Sequence, residues 1–257
     1  MTQPDIWQSL EAELDLWSLG SVRLWLRDDD AVAPSPALDR LAALSEGFAL
    51  PVLLAVIPML AEPALAGALK AMPSLLPCQH GCWHRNHAPA GGKKSEFGAE
   101  RAAGAVRAEI GLARQRLGDL LGPALLPVFV PPWNRIDRGV AALLPELGFA
   151  GLSCFRGFTL GEAGGPALAN TDIDVMDWHG GRVGRPAEAL AAEVAAQLAG
   201  RRQQRNAQSR TLGLLLHHRD HDETAWNALE ALLSRLCAHP AVQRTDPRAL
   251  LVTPTFS

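Results

Sequence analysis

Four cysteines in 257 residues are too few for a disulfide framework in a chain of this size, which fits a reducing compartment. Positive charge is not in excess either: 24 Lys and Arg stand against 27 Asp and Glu, for a formal net charge of −3. No basic cluster is interleaved with aromatics, so nucleic acid and anionic membrane surfaces are not the expected partners. No apolar stretch approaches the length of a membrane span. The opening segment, MTQPDIWQSLEAELDLW, is acidic and amphipathic rather than basic and then apolar, and so does not read as a secretory signal. These absences set the expectation of a cytoplasmic protein that acts on small molecules or carbohydrates. Internal repeats and linkers are also lacking. One domain over 1–257 is expected, with 1–20 as an N-terminal helical extension, and nothing in the sequence speaks to the oligomeric state.

What is present is a regular alternation. With 48% hydrophobic residues the chain can bury a substantial core. Short, branched-rich apolar runs near 22–27, 51–57, 74–78, 125–130, 149–154, 172–176, 211–216 and 249–253 read as strands. Helical periodicity marks 4–18, 36–47, 62–71, 99–121, 137–147, 187–204 and 222–238. Such a rhythm predicts βα units around a parallel sheet: an α/β fold, a distorted (β/α) barrel of seven or eight parallel strands, with a doubly wound open sheet as the alternative. Two stretches, HAPAGGKKSEFG (87–98) and GEAGGPALANTD (161–172), are loop-like in composition.

Polar residues collect after the apolar runs. Asp28, Asp29 and Asp30 end the first in RLWLRDDDAV; His80, His84 and His87 follow the third in PCQHGCWHRNH; PPWNR follows the fourth; Asp174 and Asp177 lie at the sixth; His217 and His218 follow the seventh in LGLLLHHRDHD. All fall at the C-terminal ends of parallel strands, the edge where sites assemble in barrels and open α/β sheets alike. Taken singly each has a plain reading: a solvated acidic loop or helix cap, chance histidines, an ordinary turn, a histidine packed at a strand end. The joint placement favours a site. His80 and His84, four apart as on one side of a helical turn, supply with a carboxylate the two nitrogens and one oxygen that zinc and related divalent metals accept. Cys78 and Cys82 interleave with them, so a structural Cys/His zinc site is the competing reading. Such sites ordinarily need two ligand pairs separated by an intervening element, whereas these four residues share one short stretch.

With these residues in hand, the chain resembles the polysaccharide deacetylases, carbohydrate esterase family four. The segments RDDDA, HGCWH, VPPWN, DVMDW and LLLHH stand in the order of that family's paired-aspartate, His-x-x-x-His, Arg-Pro-Pro-Tyr-Gly, Asp/Trp and Leu-x-His motifs, over about residues 26 to 218. The resemblance implies a distorted barrel that hydrolyses N-acetyl or O-acetyl groups on sugars with a divalent metal, zinc first, with Mn, Fe, Co or Ni as alternatives. It implies Asp29 as general base and Asp30, His80 and His84 as metal ligands. A second register, in which Asp28 is the base and Asp29 the ligand, is also compatible with the spacing to SPALDRL. His217 carries over as general acid, with His218 as a less favoured substitute. Asp174 or Asp177 orients that histidine, Asp177 and Trp178 contribute to substrate binding, and a backbone N–H near Pro132 or Trp133 faces the developing oxyanion. Three departures stand out: Val130 occupies the motif arginine's position, leaving Arg27 or Arg135 to replace it, Trp133 stands for tyrosine, and Asn134 stands for glycine. The expected substrate is an acetylated sugar, an oligosaccharide or a small amide. Hydrolysis of another cyclic amide, or carbohydrate binding without turnover, are the competing functions.

Overall fold

The computed structural model describes residues 5–161, 164–203 and 210–252. In chain order the elements are α1 (Ile6–Leu14), β1 (Val22–Ala31), α2 (Pro36–Gly47), β2 (Val52–Val56), α3 (Pro63–Leu69), β3 (Leu75–His80), α4 (Ala103–Leu121), β4 (Val128–Val130), α5 (Arg138–Leu143), β5 (Gly151–Leu152), β6 (Ala167–Leu168), β7 (Ile173–Asp174), β8 (Met176–Asp177), β9 (Val183–Gly184), α6 (Ala187–Arg202), β10 (Thr211–Leu216), α7 (Glu223–Ala238), β11 (Val242–Arg244) and α8 (Arg248–Leu251). Eight strands run parallel in the order β6-β5-β4-β3-β2-β1-β10-β7, and β11 adds to the start of β1. Strand β2, for example, is buried along its whole length, as a strand covered on both faces must be, which is why it reads as an unbroken apolar run.

The sheet curls. Four strand spacings separate β1 from β5, about 19 Å in a flat sheet, yet Arg27 of β1 hydrogen-bonds to Ser153 just beyond β5. Trp25, Arg27 and Asp29 therefore point into the concave interior, where Trp25 packs with Leu53, Ala55, Cys78 and Val128. Leu24 and Leu26 point the other way, into the layer under α2, α6 and α7. The two ends of the strand path, β6 and β7, are only four residues apart in the chain: the segment 167–175 bonds to the β5 edge through Ala169 and Thr171 and to β10 through Asp172 and Val175, so the path returns on itself as a distorted barrel.

Two sequence expectations on the fold need correction. The apolar run at 249–253 is not a strand: Arg248–Leu251 is a short helix, with Leu251 buried beside Val128, and residue 253 lies outside the described residues. Apolar runs of this length serve a buried helix as well as a strand. His80 and His84 also do not share a helical turn, because His80 ends β3 and the chain beyond it is irregular.

Candidate active site

The three consecutive aspartates meet three different partners. Ordinary strand alternation sends Asp28 to the helix-covered face and Asp29 to the interior. A register shift between Asp28 and Ala31 against β2 then inserts an extra residue, and Asp30 adopts φ 74°. A bulge of this kind re-aims a side chain that regular pleating would have sent elsewhere.

Asp30 turns toward two histidines. Its Oδ1 lies 3.2 Å from Nε2 of His80 and 3.2 Å from Nε2 of His84, and one ligand atom from each residue falls within 4.8 Å of the others. His80 Nδ1 is 3.0 Å from the Val130 carbonyl. That carbonyl can only accept, so the ring proton sits on Nδ1 and the Nε2 lone pair is left for the cluster, the tautomer that an imidazole ligand needs. Burial works against a charged His80, but Asp29 and Asp30 outweigh it and lift its pKa above the ordinary value. Burial and the neighbouring His80 hold His84 below the ordinary value. Two imidazole nitrogens and a carboxylate oxygen thus face one point. A divalent cation fits that donor set. Cys78 and Cys82 are not among the converging atoms; both are buried apolar packing residues whose thiols burial pushes up.

Asp29, 3% exposed, is held by Arg27, which is completely buried. Arg27 Nε lies 2.9 Å from Asp29 Oδ1, and Nη2 donates to Oδ2 at 3.0 Å. The rest of the guanidinium is fixed by Asn134 Oδ1 at 2.5 Å, Ser153 Oγ at 2.8 Å and the Cys154 carbonyl at 3.0 Å. Of the two candidate arginines, Arg27 and not Arg135 pairs with Asp29; Arg135 is exposed and donates to the Lys94 carbonyl. Asn134, where the motif has glycine, keeps a left-handed φ of 58° and supplies one of the acceptors.

Across the edge, His217 Nδ1 lies 3.8 Å from Asp174 Oδ1. The Trp178 indole N–H donates to the other oxygen of Asp174 at 2.8 Å, and its ring stands edge-on to His217 with centroids 4.7 Å apart. Burial raises the Asp174 pKa, with His217 opposing. Asp177 faces away from this group: its carboxylate accepts from the N–H groups of His179 and Gly180 and closes the β8–β9 hairpin. Pro132 is buried, and Trp133, at φ 54°, lays its ring 4.4 Å from that of His84. The Trp133 N–H donates to no backbone acceptor among the described residues. Pro132 itself has no N–H to offer.

Asp28 belongs to a separate pair. Completely buried, it accepts from the His218 backbone N–H at 2.8 Å and from His218 Nδ1 at 2.5 Å. Burial works against charge on His218, yet Asp28 lifts its pKa above the ordinary value. Arg219 adds a bond to the Asp30 carbonyl at 3.1 Å, so the end of β1 is sewn to the loop that carries His217. Asparagine at position 28 would offer one acceptor to two donors, and an unsatisfied buried donor costs about 1–3 kcal/mol. Asp28→Asn should therefore lower the melting temperature by about 2–4 °C per kcal/mol, with metal content unchanged. Calorimetry and elemental analysis on the same sample check both halves. Sequence reasoning missed this pair, as it missed Ser153 and Glu96, whose carboxylate is buried under the histidine loop. No short motif marks them: the partners of Asp28 and Ser153 lie far along the chain, and those of Glu96 are backbone N–H groups, which carry no residue-type signal.

No family model matches the chain, and no curated protein does. Solved structures do match in fold. A peptidoglycan N-acetylglucosamine deacetylase in complex with a naphthyl N-oxidanyl-benzamide superposes with a TM-score of 0.61 at 14% identity, covering 91% of this chain and 89% of that one. A family 4 carbohydrate esterase from Streptomyces lividans in complex with acetate gives 0.55 at 15% identity, over 90% and 96%. An esterase of the same family from Streptococcus mutans gives 0.55 at 12% identity, over 88% and 85%. At these identities the likeness establishes the fold, that of the polysaccharide deacetylases and family 4 carbohydrate esterases.

Proposed function

We propose that this chain is a metal-dependent hydrolase that removes N- or O-acetyl groups from a sugar or glycan precursor. The observation that carries the reading is the convergence of Asp30 Oδ1 on Nε2 of His80 and of His84, 3.2 Å from each, with Asp29 adjoining Asp30 at the end of β1 and His217 directly after the paired strand β10. The fold is shared with enzymes described as N-acetylglucosamine deacetylase and carbohydrate esterase, which agrees with that chemistry.

Asp30, His80 and His84 would hold the metal, zinc in the first instance, with Mn, Fe, Co and Ni also compatible with the donor set. Such an ion supplies Lewis acidity, which polarises a carbonyl and acidifies water. Asp29, its orientation fixed by the Arg27 fork, accepts the proton of the attacking water. The Trp133 N–H donates to the carbonyl oxygen as charge builds on it, a contribution of a few kcal/mol for a well-placed donor. His217 gives a proton to the departing nitrogen or oxygen, with Asp174 Oδ1, 3.8 Å from Nδ1, on the far side of the ring to orient it. Trp178 braces Asp174 and lines the edge on which a sugar ring would lie.

Zinc-loaded protein should release acetate from N-acetylated or O-acetylated sugars, lose that activity on treatment with a strong chelator and regain it with zinc or cobalt. Acetate release by enzymatic assay is the measurement. Opening of cyclic amides without acetate release would instead favour the other hydrolase reading, and tight sugar binding without turnover would favour a binding protein.

A further inference from the structure

We infer that Glu96 is the positioning residue of the metal centre: its buried carboxylate moulds the backbone turn that brings His84 to His80 and Asp30. The inference rests on the reading of those three residues as metal ligands. Between His80 and His84 the chain reverses through two left-handed residues, Gly81 at φ 54° and His84 at φ 57°. A histidine in that conformation is disfavoured and persists only where its surroundings over-determine it. Glu96 supplies the constraint. Completely buried, it accepts from Cys82 N–H through Oε2 at 3.1 Å and, through Oε1, from Trp83 N–H at 2.8 Å and Arg85 N–H at 3.4 Å.

Three backbone N–H groups wrapped around one anion form a nest, and hydrogen bonds to a charged acceptor are the stronger kind. No cation takes their place among the described residues: Arg101, the nearest candidate, donates to the Glu96 backbone carbonyl and pairs its charge with Glu109. Glu96 is in turn held by its own loop. Ser95 N–H donates to Asn86 Oδ1, His87 N–H to the Ser95 carbonyl, and the Phe97 carbonyl accepts from Asp137 N–H. The stretch 87–98, loop-like in composition, thus folds back to place one carboxylate.

The same contact reaches the other wall of the site. A Cβ on Gly81 would lie 2.2 Å from Glu96 Oε2 and 2.6 Å from the Pro132 ring, so the turn is seated directly between the acid and the Pro-Pro-Trp loop. Trp133, on that loop, lies against the His84 ring. Groups that orient ligands in this way change metal affinity by about 10–100-fold when replaced.

Cobalt(II) titration of metal-free protein, followed by visible absorption, tests the assignment. Glutamine at position 96 turns an N–H donor toward at least one of the three backbone donors. Glu96→Gln should bind cobalt about 10–100-fold more weakly than wild type, with an altered absorption band reporting a changed ligand arrangement. Leu232→Ala, a cavity in the core under α7, should lower the melting temperature while leaving cobalt affinity and spectrum alone, which separates positioning from general stability. Should Glu96→Gln fail to fold, Gly81→Ala, which drives a methyl into the same carboxylate, should give the same loss. Wild-type affinity and spectrum in the Glu96 or Gly81 variant, or an equal loss in Leu232→Ala, would overturn the inference. A wild-type protein that takes up no cobalt would overturn the metal reading itself, and the inference with it.

Discussion

Replacing Arg27 with methionine is expected to cost about 3–5 kcal/mol of stability, because removing one partner leaves the other as an uncompensated buried charge, and to abolish turnover. The guanidinium is wholly buried and bonded to Asp29, Asn134, Ser153 and the Cys154 carbonyl, so its loss strands acceptors on three separate segments. Lysine would not rescue it, since three donors on a flexible stem cannot reproduce a planar fork that engages one carboxylate through two nitrogens. Stability and function can be told apart by a second substitution. Exchanging a buried ion pair for apolar residues of similar volume is often neutral or better, so Arg27→Met combined with Asp29→Leu should regain most of the lost stability and none of the activity. Denaturant unfolding with acetate release on the same preparations reads both. A stable, active Arg27→Met protein would show that the arginine does not hold the base.

This arginine marks where sequence reading succeeds and where it stops. The two candidates for the missing motif arginine were visible in the chain, but choosing between them requires knowing that Asn134 and Ser153 come to rest opposite β1, which only the curl of the sheet decides. Most of the parallel sheet was legible because strands covered on both faces are continuously apolar, as Leu212–Leu216 and Val52–Val56 are. The two-residue strands β5, β6 and β7 leave almost no pattern to read. The run at 249–253 misled for the opposite reason, its apolar residues serving the helix Arg248–Leu251.

The site was legible as residue types at strand ends, and less so as geometry. His80 and His84 do converge, but through a left-handed turn instead of a helix, and the agent of that turn sits in a segment with no motif of its own. Asp177 and Asp174 were equivalent in the sequence; the hairpin separates them, giving one to backbone N–H groups and the other to Trp178 and His217. The acidic triplet has a physical resolution. Each carboxylate meets a different partner: His218 for Asp28, Arg27 for Asp29, and the converging nitrogens of His80 and His84 for Asp30.

His217→Ala is expected to keep its metal and to lose about 10²–10⁴-fold in turnover of an N-acetyl sugar, the usual contribution of a positioned proton donor. An amide nitrogen leaves poorly as an anion and needs that proton, whereas p-nitrophenolate departs without one. Hydrolysis of p-nitrophenyl acetate should accordingly fall far less in the same variant. The neighbouring histidine supplies the control. His218 is 1% exposed, and both its backbone N–H and its Nδ1 are engaged by Asp28 on the helix-covered face of β1. It is poorly placed to reach a substrate, so His218→Ala should lower stability while preserving the wild-type ratio of amide to ester hydrolysis. That ratio, measured at a fixed metal content for both variants, is the deciding quantity. Equal losses on the two substrates in His217→Ala would mean that the residue does not donate the proton, and a selective loss in His218→Ala would move the acid to its neighbour.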